Sequence, residues 1–282
     1  MGKITYGELK RGAVNLLKNA SIANPALDVR LLLEKVSHKT AADLITCDRE
    51  MVPEPVQVEF QELLGARLAR EPMAYILGEK AFWSLDFVVN EHVLIPRPET
   101  EGVMERVLEL IGDFPKPRIL DIGTGSGALL ISLLNELDGA SGTGVDISPE
   151  ALKVARINAK RCKVSDRCMF YSSDYLENVI EKYDIIISNP PYIDDKAMAE
   201  LMPDVGLYEP ELALHGGADG LDAYRIIIPG LTNVLKPGGY VVFEIGYDQK
   251  YAVSDLLAKE GAKDIICQQD IAGLDRIISA TF

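Results

Sequence analysis

A run of four residues late in the chain carries the groups needed to bind a planar nitrogen. It reads Asn189-Pro190-Pro191-Tyr192 and follows the apolar stretch 184–188. The lone pair of an amide nitrogen is delocalised, so this nitrogen is a weak nucleophile whose two N–H groups must be held by acceptors. The side-chain oxygen of Asn189 and the carbonyl of Pro190 are such acceptors, since the paired prolines fix the backbone. Tyr192 can stack on the planar group. Taken alone, the run is equally compatible with a rigid Asn-Pro turn after a strand.

A glycine-rich segment after the apolar stretch 118–122 is a second candidate site. It consists of Gly123, Thr124, Gly125, Ser126 and Gly127. Glycines let the backbone turn sharply and approach a ligand closely, and ligands of open α/β sheets bind beyond the carboxyl ends of the strands. The spacing G-x-G-x-G differs from the G-x-G-x-x-G of dinucleotide sites. The segment favours a nucleoside cofactor over a strand-to-helix turn without a ligand.

Acidic residues end the next two predicted strands and support this interpretation. Asp146 can accept hydrogen bonds from both ribose hydroxyls, although it can also cap the helix that begins near Pro149. Asp174 can accept from an adenine amino group, and Tyr175 can pack on the adenine ring. This order of glycine loop and acidic strand ends resembles the class I S-adenosylmethionine-dependent methyltransferases. The chain has no second glycine loop for a nicotinamide half, which argues against an NAD enzyme.

The elements around these residues alternate between short apolar runs and helical segments. Predicted strands cover 118–122, 142–146, 169–172, 184–188, 239–245, 264–267 and 276–278. Predicted helices cover 101–111, 128–137, 149–160, 178–182 and 223–235. Such alternation is typical of a mostly parallel sheet with helices on both faces. The sequence therefore predicts an α/β fold with a seven-stranded Rossmann-like sheet.

The first part of the chain has a different pattern. Residues 1–75 show apolar residues at helical spacing and predict a small all-helical domain. We expect this domain to dock the substrate. Residues 76–95 contain aromatic and β-branched runs with Asn90 as a turn candidate, and predict a β-hairpin linker. The remaining part, 96–282, is the predicted cofactor-binding domain. Its first residues, Pro96-Arg97-Pro98-Glu99-Thr100, are expected to close over the site, to form a rigid elbow, or both.

Charge and composition exclude several classes of function. The net charge is −14; residues 1–75 carry ten basic and ten acidic residues, and the remainder carry 19 and 33. This balance argues against binding to duplex DNA, which needs several Lys and Arg on phosphates. No apolar run reaches the roughly 18 residues that span a bilayer, and no signal peptide is recognisable. The four cysteines and three histidines lack metal-ligand spacing. We expect a cytoplasmic enzyme without a metal.

Motifs along nearly the full length resemble the release-factor glutamine methyltransferases, the HemK/PrmC family. Besides the two candidate sites, the matching segments are Arg70-Glu71-Pro72-Met73-Ala74-Tyr75-Ile76-Leu77-Gly78, Phe82-Trp83, Leu94-Ile95-Pro96-Arg97-Pro98-Glu99-Thr100-Glu101, Tyr208-Glu209-Pro210, Gly216-Gly217-Ala218-Asp219-Gly220-Leu221, Glu244-Ile245-Gly246 and Gly273-Leu274-Asp275-Arg276.

The resemblance implies transfer of a methyl group from S-adenosylmethionine, leaving S-adenosylhomocysteine. The implied acceptor is the glutamine side-chain nitrogen in the Gly-Gly-Gln motif of class-1 peptide-chain release factors. The implied fold is a five-helix domain, a hairpin and a seven-stranded sheet with an antiparallel last strand. Residues 123–127 would surround the methionine part of the cofactor, and Asp146 would hold the ribose. Residues 189–192 would hold the glutamine, and Asn189 would contact the cofactor as well. Family members often carry Trp where this chain has Tyr175.

Three other functions remain open at this point. A ribosomal-protein glutamine methyltransferase shares the tetrapeptide, although residues 94–101 favour the release-factor branch. A DNA adenine-N6 methyltransferase meets the same chemical problem, but the acidic charge and the lack of an inserted recognition segment oppose it. A non-catalytic partner-binding protein predicts damage to the glycine loop or to the tetrapeptide, and both are intact.

Overall fold

The computed structural model describes residues 3–282, so the first two residues of the predicted helical domain lie outside the described residues. The chain forms two compact units. The first, here called the helical unit, ends at Gly78 and also contains Pro203–Tyr208. The second, here called the sheet unit, comprises Glu79–Met202 and Glu209–Phe282. Within residues 3–282, no helix is long and apolar enough to cross a membrane.

Helices numbered in chain order make up the helical unit: α1 (Tyr6–Asn19), α2 (Pro25–Ser37), α3 (Ala41–Thr46), α4 (Glu54–Leu68), α5 (Met73–Leu77) and the short α10 (Pro203–Gly206). Local sequence explains where they begin. Thr5 and Glu8 form a capping box at the start of α1, and Thr40 and Asp43 form another at α3, which satisfies otherwise unpaired N–H groups. The buried apolar residues of this unit form one cluster of their own, with Leu32, Leu33 and Phe60 fully buried.

A buried guanidinium joins several parts of the helical unit. Arg67 Nε donates to Asp28 Oδ2 over 2.8 Å, and Nη1 donates to Asp204 Oδ2 over 2.7 Å and to the Glu71 carbonyl over 3.0 Å. The Arg67 side chain is only 7% exposed. Tyr208 donates to the Ala69 carbonyl over 2.6 Å. The segment Pro203–Tyr208 is thus bound to the helical unit by polar contacts.

Nine strands form the two sheets of the sheet unit. A hairpin consists of β1 (Glu79–Phe82) and β2 (Leu85–Val88). The large sheet contains β3 (Arg118–Ile122), β4 (Ser141–Asp146), β5 (Cys168–Ser172), β6 (Tyr183–Ser188), β7 (Leu235–Glu244), β8 (Lys263–Gln269) and β9 (Asp275–Thr281). Its order is β5-β4-β3-β6-β7-β9-β8. Strand β9 pairs antiparallel with both β7 and β8 and so runs opposite to the other six strands. The predicted seven-stranded, mostly parallel fold with a helical amino-terminal part and a hairpin is confirmed.

Helices cover both faces of this sheet and bury two apolar clusters. They are α6 (Glu101–Leu110), α7 (Ala128–Glu136), α8 (Pro149–Arg161), α11 (Asp222–Ile227), α12 (Leu231–Val234) and α13 (Lys250–Lys259). The short helix α9 (Asp195–Ala199) has no buried residue and belongs to neither cluster. The central strand β6 carries Ile185, Ile186 and Ile187, all fully buried. A run of β-branched residues is expected for a parallel strand that is covered on both faces.

Three details of the predicted elements were wrong. Residues 178–182 are not helical, because Asn178 completes a turn by donating its backbone N–H to Ser173 Oγ over 3.0 Å. The predicted helix 223–235 is interrupted between α11 and α12 at Ile228–Gly230, a 3-10 turn that contains a proline. The hairpin turns at Trp83, whose φ is 54°. Asn90 begins a separate turn after β2, which the Val93 N–H closes.

We expect Arg67→Ala to destabilise the helical unit by about 3–5 kcal/mol, because it leaves the buried carboxylate of Asp28 without its partner and removes a contact of the partly buried Asp204. Hydrogen exchange of the α2 and α4 amides measures this free energy of opening. A matched control is Arg30→Ala, whose ion pair with Glu34 is long, 3.7 Å, and exposed; it should cost less than about 1 kcal/mol. Equal losses in the two variants would contradict the structural importance of Arg67.

Candidate active site

The glycine loop begins where β3 ends and leads into α7. Gly123, Gly125 and Gly127 have φ values of 70°, 53° and 80°, in the left-handed region that favours glycine. The N–H groups of Gly123 and Thr124 both donate to the Val145 carbonyl, over 2.9 and 3.0 Å. A Cβ added at Gly123 or Gly125 would meet no atom within 4 Å, whereas one at Gly127 would meet Ile131 at 2.7 Å. The first two glycines therefore border open space, and the third allows close packing.

Asp146 ends β4 and holds the glycine loop in place. Its Oδ2 accepts the Gly125 N–H and its Oδ1 accepts the Ser148 N–H, each over 2.9 Å. Each carboxylate oxygen can still accept a further hydrogen bond. Helix α8 is capped by Ser148, whose Oγ accepts from Ala151. Burial raises the pKa of Asp146, and its backbone donors oppose that shift.

A second carboxyl group lies beneath the loop. Asp121 is 1% exposed and accepts a hydrogen bond from Thr124 Oγ1 over 2.6 Å. Burial raises the pKa of Asp121 to about 7, while the Thr124 hydroxyl lowers it and nearby Asp146 raises it further. Desolvation is the largest cause because it disfavours the charged form.

Tyr175 follows β5 in a left-handed backbone conformation with φ 44°. This conformation is uncommon for a bulky residue and is retained where the surroundings demand it. The ring packs beside the apolar cluster that contains Tyr183 and Leu231. Burial is the main cause of the raised pKa of Tyr175.

Asn189 follows β6, and a buried chain of hydrogen bonds lies behind it. Asn189 Nδ2 donates to Thr100 Oγ1 over 3.1 Å, and Thr100 Oγ1 donates to Glu244 Oε2 over 2.6 Å. The Tyr192 hydroxyl donates to Glu244 Oε1 over 3.0 Å. Burial raises the pKa of both Glu244 and Tyr192. No donor among residues 3–282 bonds Asn189 Oδ1 or the Pro190 carbonyl in the structure.

Two further contacts fix the backbone of the tetrapeptide. Gln249 Nε2 donates to the Tyr192 carbonyl over 3.1 Å and to the Gly220 carbonyl over 3.0 Å. A Cβ at Gly216 would lie 2.8 Å from the Pro191 carbonyl, and one at Gly220 would lie 2.3 Å from the Tyr192 carbonyl. Only glycines can approach the tetrapeptide this closely, which explains Gly216 and Gly220.

One cavity of about 310 Å³ brings most of the predicted site residues together. Those that line it are Gly123, Thr124, Gly125, Ser126, Asp146, Tyr175, Asn189 and Pro191. Gly127 instead precedes α7 as its cap residue. Pro190 is buried, and the Tyr192 hydroxyl bonds Glu244. The roles assigned to all these residues stay predictions.

Residues 96–100 border the same cavity through Pro96, Arg97 and Thr100. Their position depends on Glu209, whose side chain is 1% exposed. Glu209 Oε2 accepts the Ile95 N–H over 3.1 Å, and Oε1 accepts from Arg97. A buried carboxylate thus ties this segment to the residues that follow Glu209, of which Pro210, Leu212 and Ala213 also line the cavity.

Sequence reasoning missed the residues that support the site from behind. Glu209 and Glu244 appeared only as parts of matching motifs, and Thr100 only in a motif and in the segment 96–100. Gln249 and Asn158 did not appear at all. Asn158 is fully buried and bonds the Ser126 carbonyl over 2.9 Å and both backbone groups of Val88. A polar residue within an apolar helix face or strand could have indicated such a supporting role in the sequence. Once buried, a polar side chain needs a hydrogen-bond partner.

Within residues 3–282, no group of three or more His, Cys, Asp or Glu side chains is placed to hold a metal ion. The polar groups of the cavity include backbone amides, hydroxyls and carboxylates, together with the side chains of His92, Arg97 and Asn189. These groups suit an organic ligand that carries hydroxyl and amino groups.

Comparison with known proteins gives the class of the chain. Residues 8–78 match the family model of the PrmC N-terminal domain, and residues 105–204 match that of the methyltransferase small domain. A methyltransferase from Pyrococcus furiosus has the same fold, with a TM-score of 0.51 and 18% identity over 72% of this chain and 91% of that chain. The chain is a Rossmann-like methyltransferase.

Close relatives define the family further. Release factor glutamine methyltransferase of Caulobacter vibrioides is 40% identical, over 94% of this chain and 92% of its own. The protein of the same name from Cereibacter sphaeroides is 42% identical, over 96% of both chains. The chain belongs to the release factor glutamine methyltransferase family.

The raised pKa of the buried Asp121 predicts that the stability of the protein depends on pH. Because its native pKa of about 7 exceeds the ordinary value of 3.8, the native state binds more protons than the unfolded state between these values. Its contribution to the free energy of unfolding therefore falls as the pH rises through this window. Asp121→Asn keeps an acceptor for Thr124 but removes the titration.

We expect the stability of Asp121→Asn relative to wild type to rise by up to about 1.4 kcal/mol per pH unit between about pH 4 and about pH 7. Above that window the difference should stay constant. Urea denaturation of both proteins across this range measures the difference. A difference that does not vary with pH would contradict the predicted titration.

Proposed function

We propose that this enzyme transfers a methyl group from S-adenosylmethionine to the side-chain amide nitrogen of a glutamine in class-1 peptide-chain release factors. The target is the glutamine of their Gly-Gly-Gln motif, and S-adenosylhomocysteine is the other product. The observation that carries the proposal is Asn189, whose amide is oriented by Thr100 at the edge of a cavity bordered by a glycine loop.

The residues around the cavity fit the proposed cofactor. The open space beside Gly123 and Gly125 accommodates its methionine part, and the free lone pairs of Asp146 can accept from the ribose hydroxyls. Asp174 and Tyr175, which also line the cavity, are proposed to bind adenine by its amino group and its ring face. When bound, this cofactor supplies a strongly electrophilic methyl group.

The tetrapeptide would position the acceptor nitrogen. Asn189 Oδ1 and the Pro190 carbonyl would accept the two N–H groups of the glutamine amide and orient its lone pair. Pro191 limits the backbone, and Tyr192 is proposed to bracket the amide. Orientation of this kind can supply a large part of the rate enhancement. No dedicated base is required, because the proton can pass to solvent during or after transfer.

The names of the relatives support release factors as the substrate over ribosomal proteins and DNA adenine. The excess of acidic residues after residue 75 also opposes duplex DNA as a partner. We propose the neutral residues 1–75 as the substrate-docking domain, 76–95 as the linker and 96–282 as the catalytic domain. A cytoplasmic location follows from the proposed substrate, because peptide-chain release occurs on ribosomes.

We expect the purified enzyme to transfer labelled methyl groups from S-adenosylmethionine to a purified release factor. Replacement of the motif glutamine by alanine in that release factor should abolish labelling. Asn189→Ala in the enzyme should abolish turnover and largely preserve cofactor binding by calorimetry. Labelling that persists on the glutamine variant would refute the substrate, and normal turnover by Asn189→Ala would refute the role of this residue.

A further inference from the structure

Glu244 is linked to both ends of the tetrapeptide, directly to Tyr192 and through Thr100 to Asn189. Oε1 accepts the Tyr192 hydroxyl over 3.0 Å, and Oε2 accepts the hydroxyl of Thr100, which in turn accepts from Asn189 Nδ2. Glu244 is 1% exposed and Thr100 is 5% exposed. Solvent water therefore has little access to the bond between Thr100 and Glu244, whereas Asn189 and Tyr192 are partly buried.

The hydrogen bonds of this chain have a fixed direction. A carboxylate only accepts hydrogen bonds, and a threonine hydroxyl has one proton to donate. Because Thr100 gives that proton to Glu244, it can only accept from Asn189. The Asn189 amide must therefore turn its NH₂ group toward Thr100, and its oxygen remains available as an acceptor.

Without the Glu244 carboxylate, the hydrogen bond between Thr100 and Asn189 would have no fixed direction. A free Thr100 hydroxyl can donate to the oxygen of Asn189 as easily as it accepts from the nitrogen. Asn189 would then be able to present NH₂ toward the substrate, and a donor cannot bind the N–H group of another amide. The acceptor character of Asn189 thus depends on a residue that does not line the cavity.

We propose that Glu244 is a positioning residue that sets the direction of the hydrogen bonds through Thr100 and so fixes Asn189 as an acceptor for the substrate nitrogen. The same carboxylate holds the Tyr192 ring by its hydroxyl. The Tyr224 hydroxyl donates to the Glu244 carbonyl over 2.7 Å and fixes the end of β7 that carries this side chain. The inference rests on the proposed function, because an acceptor is needed only for a nitrogen that carries hydrogen.

Glu244→Gln tests this role with almost no change in shape. The amide of glutamine has a single acceptor oxygen, so it can no longer accept from Tyr192 and Thr100 at the same time. With this oxygen toward Tyr192, the NH₂ group donates to Thr100 and reverses the direction of the hydrogen bonds. We expect kcat for methylation of the release factor to fall about 100-fold, as for other losses of one oriented polar group. The KM for the release factor and the cofactor dissociation constant should change less than about threefold, because the proposed docking domain also binds the release factor and Glu244 does not line the cavity.

Variants of Thr100 distinguish an effect on the direction of the hydrogen bonds from an effect on protein stability alone. Thr100→Val removes the hydroxyl and should lower kcat about as much as Glu244→Gln, whereas Thr100→Ser keeps the hydroxyl and should retain kcat within about threefold. The double variant Glu244→Gln/Thr100→Val should lose little more than either single variant, because both break one relay. Losses that multiply in the double variant, or a Thr100→Ser variant as inactive as Thr100→Val, would overturn the proposal.

Asp184→Asn is the matched control. Asp184 is a carboxylate of 9% exposure at the beginning of β6, where it accepts from the Arg118 N–H over 2.8 Å and from Lys236 Nζ. Its loss should lower stability but leave kcat per folded molecule within about twofold of wild type. If Glu244→Gln also lowered only stability, Glu244 would be structural and the proposal would fail.

A substrate-independent measurement distinguishes this proposal from the proposed function. In ¹⁵N NMR spectra, the side-chain NH₂ protons of Asn189 should exchange slowly in wild type and faster in both Thr100→Val and Glu244→Gln. A wild-type enzyme that shows this pattern but does not methylate release factors would refute only the proposed function. Normal methylation with unchanged exchange in the variants would refute only the positioning role.

Discussion

The parallel pairing of β3 with β6 is the constraint on which the rest of the site depends. Ile122 and Ser188 are partners in the register of these two strands, so both strands end at the same level of the sheet. The glycine loop after β3 and Asn189 after β6 must therefore lie side by side. The remaining strands continue outward from this pair in opposite directions, and the crevice at such a reversal is where open α/β sheets bind ligands.

Buried polar groups turn this crevice into a site of defined geometry. Asp146 holds the glycine loop by the Gly125 N–H, Glu209 holds residues 96–100 by Arg97, and Glu244 holds the tetrapeptide. A buried carboxylate strongly needs donors, so each of these residues restrains its partners. The orientation of the residues that line the cavity is therefore set by these three carboxylates.

The sequence predicted the parts of the structure that local patterns encode. The isoleucine run of β6, the glycine loop and the position of Asn189 follow from short segments, and the comparisons confirm the fold and the family. The contacts of Glu244 with Thr100 join residues 144 positions apart and depend on how β7 packs against the start of α6. No local pattern gives that distance. The grouping of Pro203–Tyr208 with the helical unit likewise depends on Arg67, which is distant in sequence.

The central claim is that Asn189 and Pro190 hold a glutamine amide nitrogen as acceptors beside the bound cofactor. A crystal structure of the enzyme with S-adenosylhomocysteine and a release factor tests it most directly. We predict that the glutamine nitrogen lies within hydrogen-bonding distance of Asn189 Oδ1 and the Pro190 carbonyl, with residues 123–127 around the cofactor. A glutamine nitrogen held by other groups, or an Asn189 that turns its NH₂ group toward the substrate, would contradict the account.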